Sequence, residues 1–397
     1  MDPLSALLAE PAAKQAQRGT MHTPREIAQQ PDTWQSTFSL FASRREEIAA
    51  FLKSAGLMSE RGQRPTVFLI GAGTSDYIGR CLHHLLRSEW QCEVIAVPST
   101  SLLMDFSEYL VPGNAYLWIH FSRSGDSPEG AAVLERALTE LPDIYHLVIT
   151  CNAGGRKIGL VRGRPKCLGI VLDDATNDRS LAMTSSFSNM VLAGQLLAHT
   201  FTAESYEPIF QEIVAAGRDF LPRAAEIAAS LSQEGYSRAC FVGSGLLAGV
   251  AQESALKLLE LTAGQVKTMS ESTLGLRHGP MAALDEETLF VSFLSGSEAR
   301  RNYEIDLLRE IGEKRLVRTR LAVAGSSSAL DQCGDMEYFV APRGQWKIPD
   351  FYLPVVEVIF GQLLGLFSSL QLGFMPDTPS PNGAISRVVQ TIEIYQA

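Results

Sequence analysis

The chain has 397 residues, 46% of them hydrophobic and 20% charged, with a formal net charge of −10. That length suits two domains, each able to bury its own core, and the acidic balance argues against nucleic acid as a partner. The six cysteines (Cys81, Cys92, Cys151, Cys167, Cys240, Cys333) show neither paired nor Cys/His spacing. They read as reduced thiols of a cytoplasmic protein, with no metal site.

In chain order, residues 1–45 read as a helical segment with turns at Pro24 and Pro31, and residues 1–25 hold no continuous apolar stretch of the signal-peptide kind. Ser36 to Leu52 has apolar residues at helical spacing and is expected to dock on the first domain. Thr66-Val67-Phe68-Leu69-Ile70 then runs as a buried strand into Gly71-Ala72-Gly73-Thr74-Ser75, the start of a helix. About fifty residues later Trp118-Ile119-His120-Phe121 runs into Ser122-Arg123-Ser124-Gly125-Asp126-Ser127. Together they offer the hydroxyls of Ser75, Ser122, Ser124 and Ser127, plus helix N-terminal N–H groups, to one small anion such as a phosphate.

Strands are expected at 66–70, 92–97, 115–121, 145–151 and 167–172, and again at 238–243, 266–268, 288–294, 319–324 and 336–341. Alternation with helical stretches implies right-handed crossovers and mostly parallel sheets covered on both faces, so the fold class is α/β with two doubly wound domains. The halves look duplicated: Cys240-Phe241-Val242-Gly243-Ser244-Gly245 repeats the first glycine turn, and Phe293-Leu294-Ser295-Gly296-Ser297 weakly repeats the serine loop. The second loop lacks the full hydroxyl set, so only the first domain is expected to hold a phosphate. Glu204 to Gln233 reads as a long helix interrupted near Pro222. Val355 to Leu372 reads as a packed core helix rather than a membrane span. The Pro- and Gly-rich stretch from Gly373 to Gly383 reads as a loop carrying a C-terminal tail.

On the helix after the second glycine turn, Glu253, Lys257 and Glu260 stand at i, i+4 and i+7 and share a face. By position alone that is a solvated surface ladder. The following Leu276-Arg277-His278-Gly279-Pro280 points another way, because it presents a His in a tight turn. The remaining titratable groups read as structural. Of His83 and His84, one is expected packed and one exposed. His120 reads as a satisfied core histidine, His146 and His199 lack partners at useful spacing, and Asp173-Asp174 caps a turn or faces solvent.

Gly71-Ala72-Gly73-Thr74-Ser75, Ser122-Arg123-Ser124-Gly125-Asp126-Ser127, Ala255-Leu256-Lys257-Leu258-Leu259-Glu260 and Leu276-Arg277-His278-Gly279-Pro280 together resemble tandem sugar isomerase (SIS) domain proteins over roughly residues 40–397. Motif order is similar to the isomerase half of glucosamine-6-phosphate synthase, and more so to AgaS-type tagatose-6-phosphate ketose/aldose isomerases, also described as galactosamine-6-phosphate deaminase/isomerases. The resemblance implies two flavodoxin-like SIS domains: an N-terminal segment 1–45, a phosphate-binding domain 46–203, a domain 204–372 with the catalytic helix and His turn, and a tail 373–397 closing over the active site. It implies that Ser75, Ser122, Arg123, Ser124 and Ser127 bind phosphate, and that Thr184, Ser185 and Ser186 lie in a loop closing over the sugar. Glu260 would move a proton between C1 and C2, Glu253 and Lys257 would flank the reacting end, and His278 would open the ring, in relatives from the neighbouring subunit.

Those roles imply a phosphorylated sugar as substrate, no cofactor, no metal, no membrane or nucleic-acid partner, and a homodimer with a shared active site. Two departures limit the likeness. The synthase relatives carry a tail Lys that forms a Schiff base, whereas this tail reads Ile385-Ser386-Arg387-Val388-Val389, and an Arg stays protonated. Arg387 is therefore expected to contact phosphate or a hydroxyl. Met1-Asp2 offers no N-terminal Cys nucleophile, so amino transfer from glutamine is not expected. Rival readings are a non-catalytic sugar-phosphate sensor and a dinucleotide oxidoreductase. A sensor needs no base such as Glu260, and the first glycine turn lacks the third Gly of the Rossmann spacing.

Overall fold

The computed structural model describes residues 1–59, 64–334, 336–383, 385–388 and 392–395, so Val389 of the tail lies outside the described residues. Two compact units form. One comprises Thr33–Asn177, Ser185–Tyr206 and Ile385–Ala397; the other comprises Met1–Asp32, Asp178–Thr184 and Glu207–Ala384.

The first unit holds β1 (Thr66–Gly71), β2 (Val94–Pro98), β3 (Tyr116–Ser122), β4 (Tyr145–Thr150) and β5 (Cys167–Val171) in the order β2-β1-β3-β4-β5. Every neighbouring pair is parallel. Parallel strands need covering on both faces, which is why β1 and β3 are nearly continuous apolar runs; all seven residues of β3 are buried. Phe68 stacks on Trp118 with ring centroids 5.8 Å apart in a core that also takes in Ile70, Val97, Leu102 and Val133. The flanking helices that matter below are α1 (Thr74–Trp90), α2 (Pro128–Glu140), α3 (Arg156–Val161) and α4 (Ser185–Ala198).

The expected N-terminal helix over 36–52 is two helices, Gln30–Ser43 and Arg45–Ser54. It does dock on the first unit. Trp34 is fully buried and its Nε1 donates to Ser188 Oγ at 2.9 Å, while Thr37 Oγ1 donates to Asn189 at 2.7 Å. Polar groups on the otherwise apolar α4 are thus satisfied by the helix that covers it.

The second unit holds β6 (Arg238–Gly243), β7 (Lys267–Ser272), β8 (Thr288–Leu294), β9 (Thr319–Ala324) and β10 (Tyr338–Val340), ordered β10-β9-β8-β6-β7 and again all parallel. Followed from the opposite edge, that order reproduces the first sheet, so the repeat seen in sequence is a repeat of topology. Its helices include α5 (Ala203–Ser232), which begins in the first unit, α6 (Leu247–Leu261), α7 (Glu298–Glu313) and α8 (Pro354–Gln371).

One expectation fails here. Helix α5 runs unbroken through 30 residues with Pro208 and Pro222 inside it. An interior proline forfeits a hydrogen bond and crowds the carbonyl four residues back. Buried Phe220, Leu221, Ala224, Ala225 and Ala228 hold the helix on either side of that defect. Helix α8 is long and apolar enough by composition to cross a membrane, but 89% of it is buried inside the protein, as a core helix would be.

The Gly373–Gly383 stretch is tied to the start of the chain through Asp377, whose backbone N–H donates to the Gly19 carbonyl at 2.9 Å. Asp377 accepts from the backbone N–H of Met21 (2.8 Å) and Thr23 (2.7 Å) and from the Thr23 hydroxyl (2.8 Å), so it caps the helix Thr23–Ala28 from a distant part of the chain.

Candidate active site

In an open parallel sheet, ligands bind beyond the carboxyl ends of the strands, where strand order reverses. In the first unit that point lies between β1 and β3, which pair with Ile70 opposite His120. The two loops singled out in sequence leave the sheet there. Gly71 permits the turn into α1, because a Cβ on it would collide with the Ser75 carbonyl. Ser75 is the second residue of α1 and is buried.

The serine loop is held by backbone N–H groups that donate to its own hydroxyl oxygens. Ser122 Oγ accepts from Gly125 N (3.1 Å) and Ser124 Oγ accepts from Asp126 N (3.1 Å), leaving both O–H groups to donate elsewhere. Asn152 Nδ2 donates to the Ser124 carbonyl (2.8 Å) and Thr150 Oγ1 donates to the Arg123 carbonyl (3.2 Å), so the end of β4 and the turn after it brace the loop. Ser127 is the N-cap of α2 and makes no side-chain capping bond. Arg123 is buried and its guanidinium donates to the Arg387 carbonyl at 2.6 Å. Arg387 in turn donates to Asn177 Oδ1 at 2.5 Å. Arg387, expected on a phosphate or a hydroxyl, here meets the amide oxygen of Asn177, and both arginines sit in one network that ties the tail to the loop.

The second unit shows what such a loop does with an anion. The Asp350 carboxylate occupies it, accepting from Gly296 N at 2.6 Å and from the Ser295 hydroxyl, with Arg300 at 2.7 Å. This built-in carboxylate gives a physical reason why the duplicated loop should not take a phosphate as well. Ser295 N donates to Glu304 at 2.7 Å, and burial raises the pKa of Glu304.

Helix α6 follows the second glycine turn and packs against β6, β7, β8 and α8. That packing overturns the surface-ladder reading. The side chains of Glu253 and Lys257 are 0% and 1% exposed, and Glu260 is 30% exposed. Lys257 Nζ lies 3.4 Å from Glu253 Oε1 and 2.5 Å from Glu260 Oε2. A buried ammonium thus holds a carboxylate that still reaches solvent.

His278 caps the 3-10 turn Gly275–Arg277, with its N–H on the Gly275 carbonyl (2.9 Å), and is exposed as expected. It forms no hydrogen bond or ion pair with the α6 triad among the described residues. Thr184 belongs to the second unit and is fully buried, donating from N (2.8 Å) and Oγ1 (3.0 Å) to Asp178. Ser185 and Ser186 open α4 and are fully buried too.

Three histidine readings change. Nε2 of His120 lies 3.3 Å from Nδ1 of His146, so His146 has a partner, one strand away; His120 Nδ1 has none among the described residues. Burial lowers both, His120 well below the usual range and His146 to about 4, which makes them neutral core groups. His199 Nδ1 contacts Thr202 Oγ1 (3.0 Å), and its ring stacks on Tyr206. His83 and His84 divide as expected into a half-buried and an exposed residue, and Asp173 caps its turn through Ala175 N (2.9 Å).

A residue that sequence reading passed over is Lys157 on α3, buried beside the serine loop with its backbone N–H on the Gly125 carbonyl at 3.0 Å. In sequence it is half of an Arg-Lys pair, indistinguishable from a solvated one.

Two like-ordered parallel units, with the serine loop at the switch point of the first, define a tandem SIS domain protein. No family model matches the chain. Known proteins do. The D-galactosamine-6-phosphate deaminase AgaS of Shewanella sp. (strain ANA-3) is 35% identical over 390 residues, covering 97% of this chain and 94% of that protein. Its namesake in Escherichia coli O157:H7 is 34% identical over 383 residues, 94% of this chain and 95% of that one. The solved tagatose-6-phosphate ketose/aldose isomerase of Escherichia coli superposes with a TM-score of 0.82 at 30% identity, covering 94% of this chain and 96% of that chain. The chain belongs to the AgaS-type family of galactosamine-6-phosphate deaminase/isomerases.

Proposed function

We propose that this protein is an enzyme converting galactosamine 6-phosphate to tagatose 6-phosphate and ammonia. The observation that carries the reading is Glu260, a solvent-reaching carboxylate fixed at 2.5 Å from the buried ammonium of Lys257. Proton transfer needs a base that reaches its substrate and is held in one place.

His278, exposed on its turn, assists ring opening by delivering a proton to the ring oxygen. Glu260 removes the C2 proton, giving an enolamine, and returns it to C1. The nitrogen at C2 is then an imine, and water hydrolyses it to the ketone with release of ammonia. Lys257 stabilises the negative charge that develops meanwhile. Ser75, Ser122, Ser124 and Ser127 bind the phosphate through hydroxyls and the N-terminus of α2. Arg387 lacks the chemistry for a Schiff base and acts by positioning the tail against Arg123. The six free thiols support a reducing, cytoplasmic setting, and a homodimer whose partner supplies His278 is the assembly this scheme favours.

The test is ammonia release from galactosamine 6-phosphate, measured beside tagatose 6-phosphate formation. Equimolar products are expected; ketose without ammonia from a non-amino aldose phosphate alone would replace the deaminase by a simple isomerase. Ser124→Ala is expected to raise KM for the phosphorylated sugar about tenfold, the cost of one charge-assisted hydrogen bond. Free galactosamine should be unaffected, and equal losses on both sugars would remove the phosphate assignment.

A further inference from the structure

Helix α2 points its first turn toward the serine loop, and its N-cap hydroxyl is uncommitted within the helix. Beneath that turn lies the side chain of Lys157, 1% exposed. A Cβ built on Gly130 would collide with Lys157 Nζ and would lie 2.9 Å from Ser127 Oγ, so ammonium and hydroxyl border the same small space at the helix N-terminus. No hydrogen bond or ion pair of this Nζ occurs among the described residues. A buried ammonium without a partner is costly, and ordinarily one is matched by a carboxylate. Arg123, the loop's other cation, is committed to the tail carbonyl of Arg387.

We propose that Lys157 is a phosphate-binding residue, supplying the full positive charge that the serine hydroxyls lack, with the sugar-phosphate dianion as its missing partner. This rests on the phosphate-binding reading of the serine loop and adds a residue to it. Glycine at position 130 follows from the same geometry, since any side chain there would displace the ammonium.

The charge environment makes the idea testable by pH. The groups around Lys157 are Glu129 on α2, Asp126 in the loop and His120 on β3. On its own helix Arg156 is paired with Glu135 at 2.6 Å, and β5 contributes the Cys167 thiol, which burial pushes up. Burial lowers the Lys157 ammonium to about 8, against the pull of Glu129 and Asp126. Empty, the site is cationic below that pH and neutral above it. A phosphate monoester, dianionic above its second pKa of about 6, binds best between those limits and takes up a proton with it at higher pH.

The experiment is calorimetric titration of the full chain with methyl phosphate, a monoester, between pH 7 and 9.5, in two buffers of different ionisation enthalpy. The wild type should lose affinity about fivefold or more above pH 8, with proton uptake on binding. Lys157→Met should bind about tenfold more weakly at pH 7, with no loss above pH 8 and no uptake. It should also melt no lower than the wild type, because it removes an unpaired buried charge. A variant that binds methyl phosphate as the wild type does, with the same pH profile, overturns the assignment of Lys157 while leaving the serine loop intact. Failure of the wild type to bind methyl phosphate at any pH overturns the loop and Lys157 together. Should Lys157→Met not fold, the wild-type profile decides alone: flat affinity without proton uptake rules the ammonium out.

Discussion

Glu260→Gln is expected to lower kcat on galactosamine 6-phosphate by about 10³-fold while leaving KM within roughly twofold, because the amide keeps the shape of the side chain but cannot take a proton. The stability cost should be small. Glu260 is 30% exposed and its contact with Lys257 is partly solvated, so the lost pair amounts to about 1 kcal/mol or less. A second readout isolates the step. In heavy water the wild type should wash deuterium into the substrate at C2 or the product at C1, and the variant should not. Wild-type turnover in the variant would remove Glu260 as the base. Lost turnover with continued exchange would move its role to the hydrolysis of the imine.

The sheets were legible because parallel strands buried on both faces must be apolar throughout: Val67 to Ile70 and Leu289 to Leu294 leave little choice of reading. Where that condition lapses, so does the signal. Strand β7 is Lys-Thr-Met-Ser-Glu-Ser, exposed at both ends and half-buried between, at the sheet's edge; it extends to Ser272, where the sequence supported only 266–268. Chemistry followed the same division. Spacing placed Glu253, Lys257 and Glu260 on one face, but only the packing of α6 against the sheet and α8 decided that this face is buried. The pairing of His120 with His146 and the seating of Asp350 in the second loop join residues far apart in sequence, which no local pattern encodes. Lys157 was hidden for that reason and one more: its neighbours Gly125, Ser127 and Gly130 lie on another part of the chain, and burial of a lysine runs against its usual place.

Lys257→Met should abolish turnover and also destabilise the fold, and the two effects can be separated. The side chain of Glu253 is 0% exposed and lies 3.4 Å from the ammonium. Removing the cation leaves that carboxylate buried without its charge partner, a change that costs about 3–5 kcal/mol in comparable sites. The melting temperature should fall accordingly, and loss of activity alone would then say little about catalysis. Adding Glu253→Gln removes the stranded charge, so the double variant should recover most of the lost stability; the two residues touch, and their effects should be far from additive. Activity should not return with it, because the developing negative charge near Glu260 still has no ammonium to face. Recovery of turnover in the double variant would make Lys257 a structural ion and shift the stabilising role elsewhere. A single variant that melts like the wild type would mean that Glu253 does not depend on this ammonium, and that Lys257 serves Glu260 alone.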